Sequence, residues 1–96
     1  MVDIVEANHI EDYTLELRFE NGKKGTVDLS SYITKGGVFA RFADMAYFKR
    51  FYVNKELGAL CWPDGQDIAP ETLYHAATGE PLPPWVAEGK QEMAKR

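Results

Sequence analysis

Apolar and polar residues alternate strictly through residues 13–20, whose sequence is YTLELRFE. This period of two predicts a strand with one buried face and one face toward solvent. Asn21-Gly22 follows, the strongest short signal for a hairpin, and residues 23–29 form the next strand. Residues 3–9 read as a first strand that turns at Glu11-Asp12, so we predict a three-stranded antiparallel meander over residues 3–29.

We predict the length of this hairpin loop from the residues that each strand register would place on the buried face. A two-residue loop would place polar residues of the third strand on the dry face. A three-residue loop ending at Gly22 instead pairs Leu15 with Val27 and leaves Gly25 opposite Leu17. Because register follows the buried face, we predict the three-residue loop, with Gly22 in a left-handed conformation.

The middle of the chain changes to a helical pattern. Apolar residues at positions 38, 39, 42, 45, 46 and 48 share one face, which predicts a helix over residues 38–50. Asp44 is a natural N-cap, so this segment is expected to divide into two short helices there. Residues 51–62 then predict a second hairpin, and the whole pattern is that of a small α+β domain.

Residues 61–79, CWPDGQDIAPETLYHAATG, suggest either an active site or a strand-to-helix junction. Pro70 suits the first position of a helix, and Gly79 suits its end, so a helix is predicted over 70–78. Asp67 is expected to reach the free N–H groups of the first turn, and the Trp62 ring to pack on Leu73 and Tyr74. We interpret the following residues as structural anchors of the junction: Trp62, Pro63, Gly65, Asp67, Pro70, Glu71, Leu73 and Tyr74.

Length and composition describe one soluble globular domain. The chain has 96 residues, 45% of them apolar and 27% charged, which is enough for one core. We expect the domain to cover residues 1–85, with Trp85 docked on it and a frayed or disordered tail over 86–96. No apolar run approaches the ~20 residues of a membrane span, and no signal peptide is present, so a cytoplasmic protein is expected.

The junction also carries a resemblance to a known family. Trp62-Pro63, Gly65, Asp67, Ala69-Pro70-Glu71 and Leu73-Tyr74 resemble the signature of a small bacterial family, domain of unknown function 2442. The resemblance implies a small α+β domain with an antiparallel sheet and short helices, and it brings no activity or catalytic residue. Relatives often stand beside another small gene, which implies a regulatory or toxin–antitoxin-like pair.

Four residues of the junction are candidates for a metal-binding or catalytic site: Asp64, Asp67, Glu71 and His75. On a helix from Pro70, the last two share a face. The competing interpretation is a capped helix with a solvated histidine, and metal motifs such as His-Glu-x-x-His are absent from the sequence. Cys61, the single cysteine, is expected to be a buried thiol. No cofactor is predicted.

The best indication of binding is a basic segment over residues 35–55. It holds one acid, Asp44, within a chain of formal net charge −4, and five basic residues: Lys35, Arg41, Lys49, Arg50 and Lys55. Interleaved aromatic residues are compatible with an amphipathic helix whose outer face is positive. We therefore predict a non-enzymatic module that binds a protein, or forms a homo-oligomer through its sheet edges. A nucleic-acid-associated regulator using the same segment is the alternative, although the net charge disfavours it.

Overall fold

The computed structural model describes residues 2–81; the expectations for Trp85 and for the tail over 86–96 lie outside the described residues. Two three-stranded antiparallel sheets and short helices share one core, so the predicted α+β class is confirmed. In chain order the elements are β1 (Ile4–Glu11), β2 (Thr14–Phe19), β3 (Lys24–Asp28), two 3-10 segments (Ser30–Lys35 and Gly37–Ala43), α1 (Met45–Phe48), β4 (Tyr52–Asn54), β5 (Ala59–Cys61), β6 (Asp67–Ile68) and α2 (Pro70–Thr78).

The first sheet is the predicted meander, in the order β1-β2-β3. Leu15 pairs with Val27, and Leu17 pairs with Gly25, as the three-residue loop requires. Gly22 has a φ of 88°, so the left-handed conformation predicted for the loop is confirmed. The register therefore follows the buried face, on which Leu15 and Leu17 are fully inaccessible to solvent.

The predicted helix over residues 38–50 is replaced by a 3-10 segment and the short helix α1. The break lies at Asp44, as expected, because its side chain accepts a hydrogen bond from the N–H of Ala46 and begins α1. Gly36 and Gly37 both have positive φ, and Gly37 opens the second 3-10 segment. One aromatic face of this region, including Phe42 and Phe48, is buried.

The second sheet has the order β4-β5-β6, one strand more than the predicted hairpin. The extra strand, β6, pairs with β5 through Leu60–Ile68 and Cys61–Asp67. Asp67 thus belongs to a strand, and the prediction that its side chain caps α2 is wrong, since the N-terminus of α2 receives no side-chain cap. The turn through residues 63–65 brings the chain back alongside β5, and the pairing of β6 after this turn is the part that the sequence did not predict.

The last helix, α2, covers the buried face of the meander at β3. It spans the predicted residues 70–78 and ends at Gly79, whose φ of 77° is left-handed. Gly25 permits the close approach, because a Cβ built there would lie 2.1 Å from the carbonyl oxygen of Ala77. Leu73 places its side chain in the core, at 1% exposure. The glycine opposite Leu17 is therefore the contact point between helix and sheet.

Candidate functional site

Trp62 anchors the junction, but through different neighbours from those predicted. Its ring is 4.4 Å from Phe42 and 5.9 Å from Phe48, measured between ring centroids. Its Nε1–H donates to the carbonyl oxygen of Phe48 at 2.8 Å, so the polar end of the buried indole is satisfied. Tyr74 packs its ring against Phe19 instead, at 5.1 Å. Trp62 therefore fixes the middle of the chain to β5, and Tyr74 fixes α2 to the meander.

A buried glutamine, which the sequence analysis did not single out, connects the turn after Trp62 to the helical region. Gln66 is 2% exposed and accepts a hydrogen bond from the Tyr47 hydroxyl at 2.7 Å. Its Nε2 donates to the carbonyl oxygen of Val38 at 2.7 Å. The Tyr47 hydroxyl in turn accepts from the N–H of Asp64 at 2.9 Å. Both the oxygen and the NH₂ group of the Gln66 amide are thus hydrogen-bonded within the fold, which makes Gln66 a structural residue.

The exposed side of the same turn holds an ion pair. The Arg41 guanidinium donates to the Asp64 carboxylate. Its Cζ lies 4.2 Å from the centroid of the Tyr47 ring, a cation–π contact. Asp64, one of the metal candidates, and Arg41, one of the interaction candidates, therefore engage each other. The charges of both are partly neutralised before any ligand binds.

The other residues of the candidate metal site do not gather around one point. Asp67 lies on β6, and Glu71 lies in the first turn of α2, where the helix dipole favours an acid. His75, near the end of α2, pairs its Nδ1 with the carbonyl oxygen of Glu80 at 2.6 Å. Among residues 2–81, no group of three or more histidine, cysteine or acidic residues is arranged to hold a metal ion.

Cys61 lies on β5 and is 6% exposed, so its predicted burial is confirmed. Burial raises the pKa of this thiol, and the negative charge of Asp67 raises the same pKa further. A thiol whose thiolate form is disfavoured is a poor nucleophile. The arrangement around Cys61 therefore suits packing.

The basic segment does not form one uniform surface. The Nζ of Lys35 lies 5.3 Å from the centroid of the Tyr32 ring, and Arg41 is bound to Asp64. Lys55 lines an open cavity of about 340 Å³ that also holds Asp3 and Glu20. The remaining two cations follow α1 directly: Lys49 and Arg50 are exposed and make no ion pair within residues 2–81.

An exposed tyrosine lies beside these two cations. Tyr52, the first residue of β4, is 49% exposed, although β4 as a whole packs against the buried strand β5. Lys49, Arg50 and Tyr52 are therefore three exposed side chains within four consecutive positions, between the end of α1 and the start of β4, and we call them the basic strip. Cationic and aromatic side chains of this kind are compatible with binding a macromolecule.

A second open cavity, of about 440 Å³, lies at the β1–β2 turn. Its polar lining comes from carboxylates and hydroxyls: Glu11, Asp12, Tyr13, Thr14, Asp28 and Ser30. Asp28 accepts a hydrogen bond from the N–H of Ser30, which lowers the pKa of its carboxyl, and the Ser30 side chain lowers it further. That acid is therefore already hydrogen-bonded to Ser30, the first residue of the first 3-10 segment.

These features define a small α+β domain whose most distinctive segment, the turn from Trp62 to Gln66, ties its own elements together. Among the described residues, none of the helices has the length and apolar character that crossing a bilayer requires. The fold is therefore that of a small α+β domain with a structural core motif.

Comparison with protein families identifies the same class from sequence. The family model described as "Protein of unknown function (DUF2442)" matches residues 4–79, most of the chain, so the protein belongs to this family. The resemblance seen at the junction is confirmed. Neither the curated proteins nor the solved structures give a match.

Proposed function

We propose that this domain is a non-enzymatic interaction module that binds an acidic surface of another protein through the basic strip. The observation that carries the proposal is the exposure of Lys49, Arg50 and Tyr52 next to one another at the end of α1. Arginine and tyrosine are enriched in protein interfaces, because both offer a large contact area together with polar groups. Exposed cations also steer an acidic partner during encounter.

Three further basic residues of the segment are less available to a partner. Arg41 already pairs with Asp64, and Lys35 lies on the Tyr32 ring. Lys55 shares its cavity with two acids. An acidic partner would therefore gain most from Lys49 and Arg50, since no partner within the described residues has to be displaced from them.

The family resemblance suggests which protein to test first. Relatives often stand beside another small gene, which supports a regulatory or toxin–antitoxin-like pair and makes the product of the adjacent gene the first candidate partner. We expect the two proteins to co-purify after co-expression, and the complex to weaken as salt increases.

Charge reversal tests the surface. The double variant Lys49→Glu with Arg50→Glu should lose the complex, because two attractive contacts become repulsive. The double variant Lys35→Glu with Lys55→Glu is the matched control, since it makes the same change of charge at two exposed cations of the same segment outside the basic strip. Affinity would be measured by isothermal titration with the purified partner. Retention of full affinity by the double variant would show that this surface assignment is wrong.

The same preparation distinguishes a nucleic-acid regulator. Binding of a fluorescent DNA or RNA oligonucleotide at low salt, lost steeply as salt increases, would favour that alternative over a protein partner. We expect no such binding from a chain of net charge −4.

A further inference from the structure

The outer edge of β3 carries backbone groups that no described residue uses. The N–H of Leu29 donates to the carbonyl of Tyr13, and the N–H of Phe19 donates to the carbonyl of Lys23. In an antiparallel pair, alternate residues direct their backbone groups to the partner strand. The odd-numbered residues of this segment therefore face β2, and three even-numbered residues direct their N–H and C=O groups away from the sheet: Lys24, Thr26 and Asp28.

The other sheet edges are less accessible within residues 2–81. At β1, the N–H of Ile4 donates to the carbonyl of Gly58, and β4 lies alongside the strand. The edge strand β6 is two residues long. The edge of β3 is five residues long, and Lys24, Thr26 and Asp28 are all exposed. Its register with β2 is regular throughout, whereas β1 has two irregularities of register along its length.

The sequence of this edge is complementary to itself. If two copies of β3 pair antiparallel about a two-fold axis at Thr26, Lys24 of each copy lies opposite Asp28 of the other. The two threonines lie opposite each other on the axis. Opposite charges and threonine pairs are both favourable across neighbouring antiparallel strands. A displacement of the register by two residues would lose both ion pairs.

We propose that the protein forms a two-fold symmetric dimer through β3, which joins two meanders into one continuous six-stranded sheet. The outward groups of Lys24, Thr26 and Asp28 would make about six intermolecular backbone hydrogen bonds. On the buried face, α2 already covers β3 at Gly25, so the pairing leaves the core of each copy intact. The proposal is independent of the basic strip, because it uses a different surface.

Charge reversal on this edge gives a test with internal rescue. In Lys24→Glu, each acid meets Asp28 of the other copy, and in Asp28→Lys each lysine meets Lys24. Both variants should weaken dimerisation at least about tenfold in sedimentation equilibrium. An equimolar mixture of the two variants should restore the dimer as a heterodimer, because every opposed pair is again of opposite charge.

Two controls separate pairing from folding. Lys35→Glu makes the same charge change as Lys24→Glu away from the edge and should dimerise like the parent. If Asp28→Lys fails to fold by circular dichroism, Thr26→Lys and Thr26→Glu replace the two charge variants. Each alone places like charges opposite each other on the axis, and their equimolar mixture places lysine opposite glutamate. A parent that stays monomeric at 1 mM, on the order of the weakest specific pairings, would overturn the proposal. The proposal would also be overturned if the edge variants dimerised like the parent, or if mixing variants of opposite charge did not restore the dimer. Neither outcome depends on the behaviour of the basic strip.

Discussion

Replacing Gln66 with glutamate changes one buried NH₂ group into an oxygen without changing the shape of the side chain. In the parent, that NH₂ donates to the carbonyl oxygen of Val38, and the other end of the amide accepts from Tyr47. An ionised glutamate would direct a negative oxygen at the Val38 carbonyl, at a site that is 2% exposed. A protonated glutamate would restore the missing donor. The folded state therefore favours the protonated acid, and burial raises its pKa.

The size of the effect follows from this linkage. Unfolded glutamate has a pKa of about 4.3, and each pH unit above that value costs about 1.4 kcal/mol if the folded acid stays protonated. At pH 7 the cost cannot exceed about 3.7 kcal/mol from this cause, and we expect Gln66→Glu to lose about 2–3.5 kcal/mol. Because the folded pKa is raised, the difference from the parent should disappear below pH 4 and grow as pH rises toward the folded pKa.

Urea unfolding followed by far-ultraviolet circular dichroism between pH 4 and pH 8 measures this difference. A loss of 3 kcal/mol corresponds to a fall in Tm of about 12–24 °C for a domain of this size. Asn8→Asp is the matched control, since it makes the same amide-to-acid change on the exposed strand β1 and should cost less than about 1 kcal/mol. If the two variants were equally stable, or if the Gln66→Glu difference did not vary with pH, Gln66 would not hold the turn as argued.

Three further predictions concern other contacts. Gly25→Ala should destabilise the domain by about 1–3 kcal/mol in urea, because the new Cβ must displace the Ala77 carbonyl; an unchanged unfolding midpoint would contradict the close approach. Since burial raises the pKa of Cys61, its alkylation by iodoacetamide at pH 8 should be at least about tenfold slower in the folded protein than in urea, and equal rates would contradict this. Because the Ser30 N–H lowers the pKa of Asp28, carbon NMR should find that pKa below its usual value of about 3.9. The stability that this hydrogen bond contributes is present at neutral pH and should be lost as pH falls through the folded pKa. The Asp28→Asn variant should lose less stability over the same pH range.

The sequence predicts well those elements whose local pattern of residues is compatible with only one structure. The hairpin register could be derived because a shift by one residue would have moved Leu15 and Leu17 off the buried face. The helix α2 had a proline at its start and a glycine at its end, and both signals act within one turn of the chain. The break at Asp44 is a local cap of the same kind.

The contacts that the sequence did not reveal depend on residues distant along the chain. The Tyr47 hydroxyl reaches Gln66 across 19 positions, and Gln66 reaches Val38 across 28. A lone glutamine in a turn carries no sign of burial, because glutamine is usually exposed. The strand β6 was missed for a related reason: two residues are too few to show a period, and its pairing with β5 exists only in three dimensions.

The inward direction of the signature residues bears on how function should be sought in the family. The signature from Trp62 to Tyr74 directs its rings and the Gln66 amide inward, where they hold the middle of the chain, β5 and α2 in place. A protein that shares the signature therefore needs to share only the fold, since these groups are occupied by residues of other elements of the same fold. Under the two proposals above, partner choice depends on side chains outside the signature, those of the basic strip and of the β3 edge. Variants at those two surfaces, apart from those at Asp28, should change binding without changing the stability of a single copy, whereas variants at Gln66 should change stability first and binding only through it.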